Sequence, residues 1–175
     1  TKSVNLHSQS GMQWAGLCFN DIDTVIIQNT EVANIKSIPD LNEGYGIELV
    51  NAKVISIDGS NVYNMSSTAA GIHVYYVTNL YMNPLINITS NTIKISTDDN
   101  DGINITPYSW LTLTGYIYGN KIINTSSGGG RNGIYAFDLV GTPIKNNYIE
   151  NFAYGTFTWY SSLDLYQNTI DTKNI

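Results

Sequence analysis

The chain has 175 residues, of which 13% are charged, and its 8 basic and 14 acidic side chains give a net charge of −6. Scarce, unclustered Lys and Arg argue against a nucleic-acid partner, and the single cysteine, Cys18, excludes an internal disulfide framework. No apolar run approaches the roughly 20 residues that span a bilayer, so we expect no membrane insertion. The lack of a signal-peptide pattern is typical of a mature product or an excised domain.

The uncharged residues are typical of β-strands joined by turns. The chain contains 22 Asn, 17 Thr and 15 Ser beside 23 Ile and 13 Tyr. Ile, Thr and Tyr suit the pleated surface of a sheet, and Asn suits turns. We therefore expect a single all-β domain over residues 1–175.

Two short phrases alternate along the chain. The first is a glycine followed by an alternating strand: GLCFN (16–20), GIELV (46–50), GIHVY (71–75), GINIT (102–106), GIYAF (133–137) and GTFTW (155–159). The second is an Asn two residues before an apolar residue: NVY (61–63), NTI (91–93), NKI (120–122), NYI (147–149) and NTI (168–170), with QNTEV (28–32) as a blurred first copy. Each pair of phrases marks one repeat of roughly 20–30 residues.

These repeats predict a right-handed parallel β-helix of about six coils. No stretch of helical period lies between the strands, so a crossover helix is not expected. Strands one repeat apart would therefore pair directly, about 4.8 Å apart. The glycine fits a corner that needs positive φ or close backbone approach, so we expect a stack of Gly46, Gly71, Gly102 and Gly133. The recurring Asn would bond the same Asn one coil away. The alternative, an antiparallel sandwich, would favour Asn-Gly hairpins, which do not join these strands.

The phrases DGINI, NGIYAF, GNKIIN and NNYIEN resemble the repeat of right-handed, pectate-lyase-like β-helix proteins, over roughly residues 14–173. That family includes pectate lyases, polygalacturonases, alginate epimerases, phage tailspikes and microbial surface proteins. The resemblance therefore implies the fold and leaves the function open. It also implies an extracellular location, on a virion appendage or a cell surface.

No catalytic set of those enzymes transfers to this chain. Asp98–Asp99 imitates one polygalacturonase phrase, but the Gly-His-Gly and Arg-Ile-Lys phrases are absent, as is the Asp-Pro-His-Asp phrase of alginate epimerases. The only arginine, Arg131, falls in SSGGGRNG, which we interpret as a loop and not a strand. Whether the chain degrades a polysaccharide, as a lyase or a glycoside hydrolase, is therefore left open.

Counting from the coil glycine predicts an outward column on the first strand of each repeat, formed by Cys18, Glu48, His73, Asn104 and Tyr135. Glu48 would lie beside His73, where it favours the protonated imidazole and orients the ring. This pair is the candidate for acid/base catalysis. The alternative is an exposed cross-strand ion pair worth under about 1 kcal/mol.

The acidic stretch TDDNDG (97–102) partly matches an EF-type calcium loop. Asp99 and Asp101 fit middle ligand positions, but Thr97 replaces the first Asp and Tyr108 the bidentate Glu. We predict a corner loop with weak or no calcium binding, in which Asp99 and Asp101 are the only metal-ligand candidates.

Outward aromatic side chains predict a glycan-binding surface, because amphipathic rings suit the faces of sugars. The candidate residues are Tyr75, Tyr135 and Trp159 on the strands, Tyr108 and Trp110 in following loops, and Asn104 as a polar partner. The negative net charge favours a neutral over a polyanionic glycan.

Two functions fit these features. One is a glycan-binding module of a tailspike, adhesin or surface appendage; the other is a structural module of a cell-surface layer or filament, with the aromatics as subunit contacts. Open strand edges at the ends of a β-helix call for flanking domains or a homo-oligomer. The sequons at Asn64, Asn87, Asn104 and Asn124 would be occupied only in a glycosylating host.

Overall fold

The computed structural model describes residues 15–35, 44–65, 69–76, 83–106, 113–137 and 139–172. Every regular element within these ranges is a β-strand, and none of these residues forms a helix long and apolar enough to cross a membrane. The strands form three sheets of six, and every pairing between them is parallel. The predicted all-β parallel β-helix is confirmed.

The chain visits the three sheets in turn, so each coil adds one strand to each sheet. The first sheet contains β1 (Ala15–Asn20), β4 (Tyr45–Val50), β7 (Ala70–Tyr75), β10 (Asp101–Thr106), β13 (Gly130–Phe137) and β16 (Phe152–Trp159). The second contains β2 (Thr24–Gln28), β5 (Val54–Asp58), β8 (Leu85–Thr89), β11 (Thr114–Tyr118), β14 (Ile144–Lys145) and β17 (Leu165–Tyr166). The third contains β3 (Glu31–Ala33), β6 (Asn61–Met65), β9 (Thr92–Ile95), β12 (Lys121–Asn124), β15 (Tyr148–Glu150) and β18 (Thr169–Asp171).

The coils are not equivalent along the axis. The first four have five-residue strands in the second sheet, whereas β14 and β17 have two residues each. The first sheet changes in the opposite direction, from six residues in β10 to eight in β13 and β16. The last two coils therefore present the widest part of the first sheet.

The core consists of stacked columns of β-branched side chains. In the first sheet Ile47, Ile72, Ile103 and Ile134 follow one another in register, and all are fully buried. Isoleucine suits this position because its branched side chain packs well on a pleated surface. Burying each such side chain contributes about 1.5–3 kcal/mol relative to exposure.

The predicted glycine stack is also confirmed, and its cause is close approach. A Cβ on Gly71 would lie 2.7 Å from the carbonyl oxygen of Gly102, and one on Gly133 would lie 2.6 Å from that of Gly155. Each glycine also faces an isoleucine or valine of the third sheet, such as Ile93 beside Gly71. Glycine therefore lets the first sheet pack directly against the third.

The predicted Asn ladder lies where the second sheet turns into the third. The amide nitrogens of Asn91, Asn120 and Asn147 each donate to the side-chain oxygen of the next Asn, at 2.9–3.0 Å, the last acceptor being Asn168. One part of the prediction is wrong, because Ser60 occupies the second-coil position and Asn61 pairs with Thr92. The positive φ expected at this corner is found on the residue that precedes the ladder Asn, as at Ser90 before Asn91 and Gly119 before Asn120.

The sixth coil buries its inward positions least. Leu165 and Ile170 continue columns of buried isoleucines, yet they are 50% and 46% exposed. In the first sheet, Thr156 and Thr158 replace the apolar inward residues Ile134 and Ala136 of the fifth coil. This coil is therefore both less apolar and more exposed than the others.

Candidate functional site

The predicted column of Cys18, Glu48 and His73 exists, since these residues pair in register on β1, β4 and β7. His73 Nδ1 lies 3.6 Å from Glu48 Oε1, and the Cys18 thiol donates to Glu48 Oε2 at 3.5 Å. The His73 side chain is 12% exposed, and its ring stacks between Tyr45 and Tyr75 with centroids 4.3 and 5.7 Å away.

The electrostatics of this column argue against a cysteine nucleophile. Contact with the His73 imidazole lowers the pKa of Glu48 against the opposing effect of burial. Burial, followed by the Glu48 charge, raises the pKa of the Cys18 thiol, which disfavours a thiolate nucleophile. Because Glu48 separates the cysteine from the histidine, the imidazole cannot take the thiol proton directly. A catalytic role for Glu48 and His73 stays a prediction.

Asp101 organises the centre of the same face. It is fully buried, and Asn104 and Asn132 each donate to it at 2.7 Å. Arg131 donates to both of its oxygens, from Nε at 3.3 Å and Nη2 at 3.0 Å. These hydrogen bonds raise the pKa of the guanidinium. Four donors satisfy this buried carboxylate, which is the condition for burying a charge without a large penalty.

The interpretation of Arg131 as a loop residue is wrong. β13 begins at Gly130, and the backbone N–H of Arg131 donates to the carbonyl of Asn100 on the previous coil. The glycine run there is explained by packing, since a Cβ on Gly130 would collide with the Phe152 ring. Arg131 is therefore a strand residue with a fixed side chain.

The acidic stretch divides into a turn and a strand. Asp98 and Asp99 lie in the turn, where Asp99 has a φ of 59° and Asp98 accepts from the backbone N–H of Gly128 at 2.9 Å. Asp101 is the first residue of β10, and its carboxylate forms an ion pair with Arg131. Within the described ranges no three His, Cys, Asp or Glu side chains form a group that would hold a metal ion. Weak or no calcium binding at this stretch stays a prediction.

Aromatic side chains cover the outer face of the first sheet in the fifth and sixth coils. Tyr135 pairs with Phe157 one coil further, with parallel rings 5.7 Å apart, and Phe137 pairs with Trp159. Tyr154, on the residue before the sixth coil glycine, contacts Phe157 edge-on at 5.7 Å. Tyr154 and Trp159 are 55% and 49% exposed. We call the groove of about 250 Å³ between them the aromatic groove, lined by Arg131, Asn132, Tyr135, Tyr154, Phe157 and Trp159.

The structure brings some of the predicted glycan-binding residues together and separates others. Tyr135 and Trp159 both line the aromatic groove. Asn104 lies one coil before Tyr135, bonded to Asp101 and Thr106, and Tyr75 lies one coil before that, against His73. Tyr108 and Trp110 lie outside the described residues.

Sequence reasoning missed four lining residues of the groove: Arg131, Asn132, Tyr154 and Phe157. A signal for two of them was present in the residue before each coil glycine. That position forms its own column of Tyr45, Ala70, Asp101, Asn132 and Tyr154. Reading this second column beside the first would have placed Asn132 and Tyr154 at the site.

Two other surface features are chemically less suited to a ligand. A larger concavity of about 370 Å³ on the third sheet is lined by Tyr63, Lys94, Ser96 and Thr125 among others. Its Ser96 and Thr125 hydroxyls already donate to backbone carbonyls, and Tyr63 donates to Glu31. On the second sheet, Tyr116, Tyr118 and Tyr166 surround Lys145 at 5.3–5.7 Å, so these rings already hold a cation.

In two of the sequons the asparagine side-chain amide already donates a hydrogen bond within the protein. The Asn124 side chain is 2% exposed and donates to the carbonyl of Thr97, and the Asn104 amide donates to Asp101. A glycan on either nitrogen would break these bonds. A sugar at Asn124 is therefore incompatible with this structure.

Comparison of the chain with protein-family models, curated proteins and solved structures finds no match. The β-helix fold thus rests on the structure itself. A pectate-lyase-like or tailspike relationship stays a prediction from the sequence motifs.

Proposed function

We propose that this chain is a glycan-binding β-helix module and that the aromatic groove is its binding surface. The observation that carries the proposal is the cluster of rings on two adjacent coils, of which Tyr154 and Trp159 are about half exposed, in a groove that Arg131 and Asn132 also line. Large exposed apolar patches on a protein surface mark interaction sites. Rings with polar edges suit sugars, which have apolar faces and hydroxyl rims.

The geometry supports an extended chain of sugars over a single buried one. Strands of adjacent coils lie about 4.8 Å apart, so the stacked rings of Tyr135 and Phe157 place aromatic surface on two successive coils, and Trp159 extends it to one side. Each ring contact contributes about 1 kcal/mol. Affinity for a short oligosaccharide is therefore modest and rises with chain length or with multivalent presentation.

A neutral glycan agrees with the charges at the groove. Arg131 is the only arginine of the chain, and its charge is balanced by Asp101. The net charge of −6 opposes a polyanion at longer range. The proposed setting is extracellular, as part of a tailspike, an adhesin or a related surface appendage with a pectate-lyase-like β-helix.

The test compares Trp159→Ala with a matched ring on another face, Tyr116→Ala. Both side chains are about half exposed, at 49% and 51%. A glycan-array screen identifies a ligand, and calorimetry measures its affinity for each variant. Trp159→Ala is expected to weaken binding several-fold with an unchanged melting temperature, and Tyr116→Ala to leave binding unchanged. Equal binding by both variants would refute the proposed groove.

A second candidate function, a structural module of a surface layer or filament, is favoured by the sixth coil. Its exposed Leu165 and Ile170 would be covered by a neighbouring domain or subunit. In that case the solution mass rises with concentration, and Leu165→Asp restores a monomer without changing glycan affinity. A monomer at all concentrations would exclude self-assembly through this end.

A further inference from the structure

Asn132 lies at the floor of the aromatic groove and has an unused acceptor. It is 2% exposed, its Nδ2 donates to Asp101 Oδ1 at 2.7 Å, and its Oδ1 has no hydrogen-bond partner. The orientation of this amide is fixed, because the ionised carboxylate can only accept a hydrogen bond. The nitrogen must therefore face Asp101, and the oxygen is left without a donor. An unsatisfied buried acceptor is costly and calls for an explanation at a candidate site.

Arg131 provides the complementary group at the same place. Asp101 Oδ1 accepts from both Asn132 Nδ2 and Arg131 Nε, so the two side chains lie next to each other. Asp101 occupies the single N–H of Nε and one N–H of Nη2, and the Arg131 side chain is 51% exposed. A guanidinium has five N–H donors, so some remain for a ligand. Its position is fixed by two bonds, and its charge is balanced by the buried carboxylate.

From this pair we infer that the aromatic groove recognises an N-acylated amino sugar, through an acyl-amide group that donates to Asn132 Oδ1 and accepts from Arg131. The inference rests on the proposed glycan-binding function and names the class of sugar. In a trans secondary amide the N–H donor and the carbonyl acceptor point in opposite directions, so an acyl-amide group that lies between the two side chains donates to Asn132 Oδ1 and accepts from Arg131. The acyl methyl group adds apolar surface for the rings of Tyr135 and Phe157.

Access to Asn132 involves Tyr154. Because Asn132 is almost fully buried, a ligand reaches its oxygen only when a neighbouring side chain moves. Tyr154 follows Asn132 in the same column and is 55% exposed, so it has room to turn. A site built to hydrogen-bond a polar group discriminates strongly against a ligand that lacks it, because its own polar atom is then left unpaired.

The experiment compares two trisaccharides that differ only in the substituent at C2 of each ring. N-acetylated chitotriose and cellotriose share the β-1,4 backbone and differ in the acetamido group. Calorimetry is expected to show at least about tenfold tighter binding of chitotriose. In Asn132→Ala this preference should fall several-fold, because only the hydrogen bond to Oδ1 is lost, with cellotriose binding retained by the rings.

The matched control is Asn87→Ala on the second sheet. Asn87 also has a buried amide oxygen without a partner, but it lies outside the lining of the aromatic groove. Asn87→Ala should keep the full preference for chitotriose. Because Asn132→Ala removes one donor to Asp101, a melting curve for each variant confirms that the fold is retained.

Several results would overturn the inference. Equal binding of both trisaccharides, or binding of neither, contradicts recognition of an N-acyl group. In those cases the Trp159→Ala comparison with glycan-array ligands decides separately whether the groove binds glycans at all. Displacement of chitotriose by an equal concentration of a blocked dipeptide would assign the groove to peptide amides and also overturn it.

Discussion

The outer face of the first sheet has two halves built on the same strands. In the second to fourth coils the central column carries Glu48, His73 and Asn104, and all three side chains contact neighbours on the face. In the fifth and sixth coils the same column carries Tyr135 and Phe157, beside rings that are half exposed. The backbone register is continuous between them. The difference shows that one continuous backbone register carries a polar half and an aromatic half, and the aromatic half is the binding surface that we propose.

The largest expected effect is at Asp101, where the two halves meet. Asp101→Ala removes the acceptor for Arg131, Asn132 and Asn104, so it should lower the free energy of unfolding by about 3 kcal/mol, near the low end for a buried pair because Arg131 is half exposed. Urea denaturation measures the change. The exposed Asp164 is the control, and Asp164→Ala should stay within about 0.5 kcal/mol of the wild type. If the two variants behave alike, the carboxylate does not organise the face.

A second test uses two residues of one column, one from each half. His73→Ala removes a ring stacked on Tyr45 and should destabilise the fold by about 1–2 kcal/mol without changing glycan affinity. Phe157→Ala should weaken glycan binding, because this ring lines the groove. Denaturation and calorimetry on both variants check the pattern. The reverse pattern would move the binding site to the polar half.

The neighbouring column allows a finer comparison, between Tyr75 and Trp159. Trp159→Ala should weaken binding about fivefold, which corresponds to one ring contact of about 1 kcal/mol. Tyr75→Ala should change affinity less than about twofold for a short oligosaccharide, because its ring packs on His73 two coils from Tyr135. A series of oligosaccharide lengths measures both. An equal loss in the two variants would extend the site across both halves.

The smallest expected effect is on pH dependence. Since the pKa of Glu48 is lowered in the folded state, its ion pair contributes stability above the ordinary carboxyl pKa and loses it as the pH falls through the folded value. Wild type should therefore exceed Glu48→Gln in stability near pH 6, by under about 1 kcal/mol. The two should converge from about pH 5 to about pH 3. A constant difference over this range would show that the charge of Glu48 is irrelevant.

Much of the fold could be predicted because the repeat fixes it. A glycine that must accommodate the next coil recurs at Gly71, Gly102 and Gly133, and the ladder Asn recurs at the sheet corner. The exceptions have physical reasons. Ser60 fills the ladder position, where its hydroxyl accepts from the backbone N–H of Thr30, so a search for Asn selected Asn61 instead. Glycines before Arg131 suggested a loop, although Gly130 is required by the packing of Phe152.

The site could be predicted only in part, because it depends on how columns lie beside one another. Tyr135 and Trp159 were identified from their outward alternation along single strands. Tyr154 and Asn132 precede the coil glycine, and their place in the groove follows from parallel register between β13 and β16. The oxygen of Asn132 is unpaired because its amide nitrogen bonds the buried carboxylate of Asp101 on the previous coil. A single strand of the sequence does not show this contact.

The half-exposed inward residues of the sixth coil have a consequence for how a ligand acts on the protein. In a linear stack each coil is held only by its neighbours, and the coil that buries least apolar surface opens most readily. The aromatic groove takes Tyr135 from the fifth coil and Phe157 and Trp159 from the sixth. A saccharide that contacts both coils binds only when they are closed together, so its binding free energy opposes local opening. Amide hydrogen exchange in β16 should slow as the ligand saturates the groove. The glycan would then stabilise the sixth coil against local opening.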